Sequence, residues 1–345
     1  MQAARLHEYT HEMGEALSID EVDRPEADRS DHVVIEVEGA GWCQTDNHIV
    51  EGMWTDYVEQ DLPMTLGHEN AGEVVEVGSE VSTVEVGEKV ICHPLMTCGT
   101  CRQCRLGNDM HCEAGEFPGL TTDGGFAEYL LTSDRATIPL SGVDPIDIAP
   151  HADAGITAYH AAKKAAAKLV PGDYVVVIGV GGLGHIGVQA LDALTPARII
   201  ALDIKDEALS LAERVGADYT INPSSEDAVA EVESITDGKL AEQAIDFVGA
   251  DVTTAMGPDI VAGRGDFHVV GYGGMVEEPA QTLVNNELAY RGTLVGTYAE
   301  LQELVALVEE GAMDLHADQY ALDEINTVAE KLEHGEIEGR AVIVP

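Results

Sequence analysis

Positive charge is scarce in this chain. Its 345 residues include 18 Lys and Arg against 63 Asp and Glu, which gives a formal net charge of −45. This balance argues against nucleic acid as a partner, because binding to phosphates needs a basic face. The acidic residues are spread along the whole chain without forming a tail, which argues against a disordered polyanion.

A folded protein with this charge repels itself at low ionic strength. Molar salt shortens the electrostatic screening length to about 3 Å and removes most of the repulsion. We therefore expect a halophilic protein that works in a very salty cytoplasm. The alternative is an acidic protein from an organism that lives in ordinary salt.

Long apolar runs are also missing. The longest apolar stretch, Tyr174–Val188, is interrupted by glycines and by His185, so we do not expect a membrane span. The segment after Met1 is charged and has no apolar h-region, so no secretory signal is expected either. The length fits two domains of common size, and we expect a cytoplasmic protein without a membrane partner.

Two patterns of predicted secondary structure divide the chain. The first part is β-rich, with short apolar stretches such as His32–Val37, Gly72–Val77 and Lys89–Ile91 between glycine turns. From about residue 170, strands alternate with helices, and this alternation predicts an α/β fold with a parallel, doubly wound sheet. The later predicted strands are Tyr174–Ile178, Arg198–Asp203, Ala244–Val248, Phe267–Gly271, Thr293–Val295 and Ala341–Val344.

A glycine-rich corner follows the strand that ends at Ile178, and it reads Gly179-Val180-Gly181-Gly182-Leu183-Gly184. A strand precedes it, a helix follows it, and Asp203 stands nineteen residues beyond Gly184. The glycines let backbone N–H groups and the helix N-terminus approach a pyrophosphate. Asp203 would bind ribose hydroxyls and repel a 2′-phosphate, which favours NAD over NADP, although Lys205 could soften that discrimination. The alternative is a turn that binds nothing.

Four of the six cysteines are closely spaced, as Cys98-x-x-Cys101-x-x-Cys104-x7-Cys112. Four thiolates at this spacing can surround one tetrahedral zinc ion, which predicts a structural site with no open position. Two disulfides are the alternative, but a cytosolic protein keeps its thiols reduced and the loops are short. Cys92 has no partner at ligand spacing, and we interpret it as a small buried apolar residue.

A second set of potential metal ligands is dispersed. Cys43 begins the segment Cys43-Gln44-Thr45-Asp46-Asn47-His48, and Gly67-His68-Glu69 follows further along the chain. Taken alone, His48 and His68 could equally be functional residues or ordinary core or surface histidines.

Together, these motifs and the ending Gly339-Arg340-Ala341-Val342 resemble the zinc-containing medium-chain alcohol dehydrogenases, especially the archaeal members. The resemblance covers essentially the whole chain. It implies a GroES-like catalytic domain from residues 1–150 and 297–345, with a structural zinc lobe at about 92–115. A Rossmann domain for NAD, residues 151–296, is inserted between the two parts of the catalytic domain. The family also suggests a homodimer or homotetramer, with an interface near Thr293–Gly296.

The resemblance assigns roles to the residues that match the family's motifs. Cys43 and His68 would bind a catalytic zinc, with Glu69 beside it as an exchangeable ligand. Asp46 would fix the tautomer of His68. The other implied roles are a proton relay of Thr45 and His48, a nicotinamide contact of Thr157, a pyrophosphate contact of Arg340 and a place for Gly271 in the cofactor site.

The third ligand position departs from the family. Members usually have a cysteine where this chain has Asp153, and carboxylate is a harder, less electron-donating ligand than thiolate. We expect the zinc to be retained but lost more easily. His151 is a rival ligand, and the remaining alternative is that no catalytic zinc binds.

The expected activity is a zinc-dependent, reversible hydride transfer from a primary or secondary alcohol to NAD, with two zinc ions per chain. Trp54 and Leu95 are possible apolar pocket walls, which favours simple alcohols. The alternatives within the family are a sugar or polyol dehydrogenase and an aldehyde-specific enzyme. A zinc-ribbon interaction module is a rival from another class, but the cofactor corner and the charge argue against it.

Overall fold

The computed structural model describes residues 1–58 and 60–345. The chain separates into two compact units, Met1–Ile156 with Gly296–Pro345 and Thr157–Val295. The predicted boundary at residue 150 lies before the observed one, so Asp153 belongs to the first unit. Among the helices described, none is long and apolar enough to cross a membrane.

The strands run as follows: β1 Gln2–Leu6, β2 Leu17–Glu21, β3 His32–Trp42, β4 Met64–Thr65, β5 Glu69–Val77, β6 Lys89–Cys92, β7 Tyr129–Ser133, β8 Thr137–Pro139, β9 Tyr174–Ile178, β10 Arg198–Leu202, β11 Tyr219–Ile221, β12 Ala241–Asp246, β13 Val261–Val269, β14 Ala289–Gly292, β15 Ala317–Ala321 and β16 Arg340–Val344.

The α-helices are α1 Gln44–Val50, α2 Arg102–Arg105, α3 Pro145–Ile148, α4 Ala154–Ala166, α5 Gly184–Leu194, α6 Asp206–Arg214, α7 Ala228–Ile235, α8 Asp251–Thr254, α9 Gly257–Ile260, α10 Ala280–Asn286, α11 Tyr298–Glu309 and α12 Ile325–Glu333. Short 3-10 helices lie at Met13–Glu15, Asp109–His111, Asp134–Ala136, Ala149–Ala152 and Leu322–Glu324.

The first unit is built around the long strand β3. The main sheet has the strand order β15-β16-β3-β5-β6-β8, β7 also pairs with β3, and a small sheet has the order β2-β1-β4. Strand β16 runs antiparallel to β3, with Ala341 opposite Trp42. The buried rings of Trp42 and Phe126 stack with centroids 4.9 Å apart, and such a pair adds stability beyond its buried area. The two ends of the chain therefore share one core.

The second unit contains a parallel sheet of six strands in the order β11-β10-β9-β12-β13-β14. The order reverses direction between β9 and β12, and ligands of doubly wound sheets bind at such a switch point. Val175, Val176 and Val177 of β9 are fully buried, as expected for a strand covered on both faces. The predicted doubly wound sheet is confirmed.

The strand predicted at Thr293–Val295 is wrong. The last strand of the sheet is β14, which pairs with β13 from Ala289 to Gly292. Val295 lies beyond it with a φ of +45°, and a β-branched residue in this region of backbone space cannot continue a strand. The predicted interface segment Thr293–Gly296 is therefore not itself the edge strand.

Candidate active site

The model brings together the dispersed set of predicted ligands. One ligand atom from each of Cys43, His68, Glu69 and Asp153 lies within 4.8 Å of the other three. We call these four residues the mixed cluster. All four belong to the first unit. The rival ligand His151 is buried nearby in the chain but is not a member of this group.

Local backbone geometry places the members of the mixed cluster. Cys43 immediately precedes α1, and its backbone N–H donates to Asp46 Oδ2 at 2.9 Å. His68 follows Gly67, whose φ is +95° and where a Cβ would lie 2.7 Å from the Phe126 ring. Only glycine fits this left-handed position without strain. The tight turn at Gly67 therefore sets the direction of the His68 side chain.

The imidazole of His68 is held between two carboxylates. Its Nδ1 lies 3.3 Å from Asp46 Oδ1 and its Nε2 lies 3.4 Å from Asp153 Oδ2. Burial alone would lower the pKa of His68, but Asp46 and then Asp153 outweigh it and raise that pKa well above its ordinary value. Neither ring nitrogen makes a hydrogen bond of normal geometry to any described residue.

These observations fit a zinc ion. Like the two His68 nitrogens, Asp153 Oδ1 is buried without a hydrogen-bond partner among the described residues. Such buried polar atoms are costly unless another group satisfies them. Sulfur, imidazole nitrogen and carboxylate oxygen are all zinc ligands. Asp46 at Nδ1 leaves Nε2 for the metal, which is the usual arrangement of a carboxylate behind a metal-binding histidine.

The Glu69 carboxylate contacts two groups outside the mixed cluster. Its Oε1 accepts a hydrogen bond from Ala154 N at 3.1 Å, and its Oε2 forms an ion pair with Arg340. Both side chains are buried. Burial raises the pKa of Glu69 to about 7, against the opposing effect of Arg340. Gly41 leaves room for this carboxylate, because a Cβ there would lie 1.9 Å from Glu69 Oε2.

The contact between Arg340 and Glu69 was not predicted from the sequence. The predicted pyrophosphate contact of Arg340 stays a prediction, since the guanidinium is buried and paired with Glu69 in the first unit. No local pattern could have revealed the pairing, because the two residues are 271 positions apart. Trp54 packs against the core of the first unit and Leu95 is buried, while their role as pocket walls is untested.

Both predicted relay residues lie on α1. Thr45 and His48 are three positions apart, so they are neighbours on one face of the helix. His48 Nε2 lies 3.5 Å from Gln44 Nε2. Burial lowers the pKa of His48, and the charge of Glu51 opposes this shift.

The four closely spaced cysteines form a second group, which we call the four-cysteine cluster. Their sulfur atoms lie within 4.8 Å of one another, and all four thiols are free. Cys98 N donates to Cys112 Sγ, Cys101 N to Cys98 Sγ and Cys104 N to Cys101 Sγ, at 3.3–3.5 Å. Bonds from Thr100 and from Cys101 N lower the pKa of Cys98 to about 6. Burial raises the pKa of Cys104 to about 12, and a bound metal ion would favour the thiolate form there as well. The spacing of the four sulfur atoms fits the predicted structural zinc.

The lone cysteine behaves differently. Cys92 is buried, and burial raises its pKa to about 12. Cys92 is not a member of either group of ligands, and a buried thiol that stays protonated is a poor nucleophile, in agreement with its interpretation as an apolar core residue.

In the second unit, the glycine corner connects β9 to α5. Gly179 has a φ of +82°, and a Cβ on Gly184 would lie 1.8 Å from Gly179 O, so both positions need glycine. A Cβ on Gly181 would meet nothing within 4 Å, which leaves this part of the corner open to a ligand. Asp203 supports the corner, because its Oδ2 accepts a hydrogen bond from Val180 N at 2.7 Å and its Oδ1 one from Lys205 N at 2.9 Å.

Two other predicted cofactor residues also lie in this unit. Thr157 is a buried residue of α4, and a Cβ on Gly271 would lie 2.4 Å from the backbone of Val248. Their contacts with a nicotinamide cofactor stay predictions, as do those of Gly182 and Leu183.

Comparison with known proteins identifies both units. Residues 29–142 match the alcohol dehydrogenase GroES-like domain, and residues 182–310 match the zinc-binding dehydrogenase domain. The chain is 35% identical over 354 residues to an NAD-dependent alcohol dehydrogenase of Sulfurisphaera tokodaii, covering 100% of both proteins. It is also 35% identical to a D-arabinose 1-dehydrogenase (NADP(+)) of Saccharolobus solfataricus, covering 96% of this chain and 95% of that protein.

Solved structures agree with these matches. The crystal structure of the alcohol dehydrogenase from the archaeon Aeropyrum pernix superposes with a TM-score of 0.95 at 48% identity and covers 100% of both chains. The predicted fold class, a Rossmann sheet joined to a GroES-like domain, is therefore confirmed. The chain belongs to the zinc-containing medium-chain alcohol dehydrogenase family, with archaeal relatives among its members.

Proposed function

We propose that this protein is an NAD-dependent alcohol dehydrogenase, which converts a primary or secondary alcohol to an aldehyde or ketone and catalyses the reverse reduction. The observation that carries the proposal is the mixed cluster of Cys43, His68, Glu69 and Asp153, with Thr45 and His48 on the helix that Cys43 precedes. The family relationship supports the same activity.

Zinc bound by Cys43, His68 and Asp153 would supply a Lewis acid that lowers the pKa of the alcohol hydroxyl towards neutrality. Thr45 would accept the hydroxyl proton and His48 would carry it towards solvent, while bound NAD would supply the hydride acceptor. Asp46 keeps the His68 ring in the orientation that exposes Nε2. Arg340 holds the Glu69 carboxylate as a reserve ligand.

The assignment of NAD rests on Asp203. Its carboxylate lies at the glycine corner, where its two oxygens hold the backbone of Val180 and Lys205. A fixed negative charge there disfavours a 2′-phosphate. The four-cysteine cluster would hold a second, structural zinc, for a total of two ions per chain.

The molecular setting is part of the proposal. The net charge of −45 supports a halophilic, cytoplasmic enzyme. We propose a homodimer or homotetramer, with β14 at its interface. This strand is the edge of the parallel sheet, and an uncovered edge has free backbone groups that can pair with another chain.

A sugar or polyol dehydrogenase is the second candidate, because a D-arabinose dehydrogenase is among the relatives. The test is NADH formation in molar KCl with ethanol, a secondary alcohol, benzyl alcohol, sorbitol, glucose and D-arabinose in parallel. Turnover of the simple alcohols would support the proposal. Turnover confined to the sugars or sorbitol would transfer the same chemistry to the second candidate.

A further inference from the structure

Helix α1 ends in an ion-pair arrangement that the family resemblance did not assign. Glu51 is the C-cap residue of α1, three positions after His48, so the two side chains are neighbours on the helix surface. Glu51 Oε1 lies 3.7 Å from His11 Nδ1, and the exposed fraction of the side chain is 26% for Glu51 and 83% for His11. Glu51 is thus within ion-pair distance of His11 and about one helical turn from the half-buried His48.

The backbone fixes this arrangement. Glu51 N donates to Asn47 O at 3.0 Å, and Thr10 N donates to Val50 O at 2.9 Å. A Cβ on Gly52 would lie 3.1 Å from the Tyr9 ring, so the segment before His11 packs closely on the end of α1. The packed backbone therefore fixes the end of α1 that carries Glu51.

Other charged side chains lie on α1 and on the neighbouring helix α12. On α12, which packs against α1, Glu330 Oε2 lies 3.6 Å from the position that a Cβ on Gly14 would take. Lys331 Nζ lies 4.9 Å from the centre of the Tyr320 ring. On α1 itself, Asp46 is directed at His68. Burial lowers the pKa of His48, and among the residues that the structure describes the charge of Glu51 opposes this shift.

We propose that Glu51 is a positioning residue of the proton relay, which stabilises the protonated imidazole of His48 and, with His11, forms the solvent end of the proton path. This inference rests on the proposed function, because alcohol oxidation releases the proton that His48 would carry. A general base works best when its pKa lies near the working pH. Without the Glu51 charge, burial would leave His48 a weaker acceptor.

The test is a pair of matched charge removals. Glu51→Gln removes the charge but keeps the size of the side chain, and Glu12→Gln removes an exposed charge of the neighbouring segment. The pKa of His48 is followed by NMR on histidine-labelled protein in molar KCl, with the His48 signal assigned from His48→Gln. We expect a fall of roughly 0.5–1 pKa unit in Glu51→Gln and no change in Glu12→Gln.

The pH dependence of the rate supplies the second readout. Alcohol oxidation needs neutral His48, so the acid limb of kcat/KM should move to lower pH in Glu51→Gln by the same amount. Carbonyl reduction needs protonated His48, so its rate should fall over the same pH range. Glu51→Asp should restore part of both shifts.

An unchanged His48 titration in Glu51→Gln would overturn the inference. A shifted titration without a matching shift in the pH dependence of kcat/KM would overturn it too. A protein that oxidises no alcohol at all would instead contradict the proposed function, while the NMR titration would still decide whether Glu51 acts on His48.

Discussion

Asp153 is the residue that most changes the chemistry of the mixed cluster. In place of the family's usual cysteine, it offers a carboxylate whose Oδ2 lies 3.4 Å from His68 Nε2. The cluster then has one thiolate, from Cys43, where relatives usually have two. Zinc is held less firmly as sulfur ligands are replaced by harder oxygen. At the same time, Asp153 carries the same formal charge as a thiolate, so the electrostatic balance is retained.

Replacing Asp153 should therefore separate the two proposed zinc ions. Asp153→Ala is expected to lower the zinc content from two ions per chain to one and to abolish alcohol turnover, because one of three protein ligands is lost. Asp153→Cys is expected to keep both ions and to release the ion of the mixed cluster to a chelator more slowly than the natural protein does. Metal analysis after dialysis measures both effects.

His151→Asn is the comparison for this experiment, since His151 is the rival ligand. It should keep both zinc ions, and circular dichroism checks that each variant is folded. Full activity of Asp153→Ala, or loss of a zinc ion from His151→Asn in place of Asp153→Ala, would show that the ligand is assigned to the wrong residue.

At the scale of elements, strand β9, the glycine corner and helix α5 form the unit that would bind the cofactor. Asp203, at the end of the neighbouring strand β10, fastens this corner by accepting a hydrogen bond from Val180 N. The same carboxylate is the group proposed to select NAD. Its structural and selective roles can be separated in part, because an amide has no charge but offers one acceptor oxygen to the two backbone N–H groups of Val180 and Lys205.

Asp203→Asn should weaken the preference for NAD. We expect the ratio of kcat/KM with NAD to that with NADP to fall about tenfold or more, as charge-assisted hydrogen bonds contribute about 1.5–3 kcal/mol. Steady-state kinetics with both cofactors measures this ratio. Asp206→Asn, at the start of α6, is the control for loss of a nearby charge. An unchanged ratio in Asp203→Asn would rule out selection by this carboxylate.

Elements with a strong local pattern were predicted well. The consecutive buried valines of β9 identify a central parallel strand from sequence alone. Strand β14 has no such pattern, because Ala289–Gly292 includes Arg291 and is only partly buried. Its limits are set by pairing with β13, which is a tertiary effect. The predicted position was consequently displaced towards Val295.

The residues of the candidate active site also divide into those with a local sequence pattern and those placed by tertiary contacts. Cys43 and His68 could be assigned because the short motifs that contain them resemble those of the family, and the spacing of the four cysteines is local too. The Arg340–Glu69 pair depends on β16 lying beside β3, and no short-range pattern encodes this. Glu51 could have been found, since its distance of three positions from His48 is visible in the sequence.

For the whole molecule, the dominant property is the net charge of −45. Self-repulsion of this size acts on the compact state and is screened by salt, since the screening length falls from about 10 Å at 0.1 M to about 3 Å at 1 M. The acids are spread over both units, so the whole fold, and not one segment, should respond to ionic strength.

The melting temperature should therefore rise steeply between 0.1 M and 2 M KCl. Thermal denaturation followed by circular dichroism measures it, and sucrose serves as an uncharged control, because it favours compact states without screening charge. A melting temperature that is independent of KCl, or that rises as much in sucrose, would contradict the halophilic interpretation.

The first unit also has a consequence for the order of events during folding. Strand β16 carries Arg340 to the buried carboxylate of Glu69, which lies 271 positions earlier in the chain. Before β16 pairs with β3, the Glu69 carboxylate lacks this guanidinium, and burying a charge whose partner is absent is costly. Formation of the mixed cluster is thus a late step of folding, which waits until two distant segments of the sequence have met.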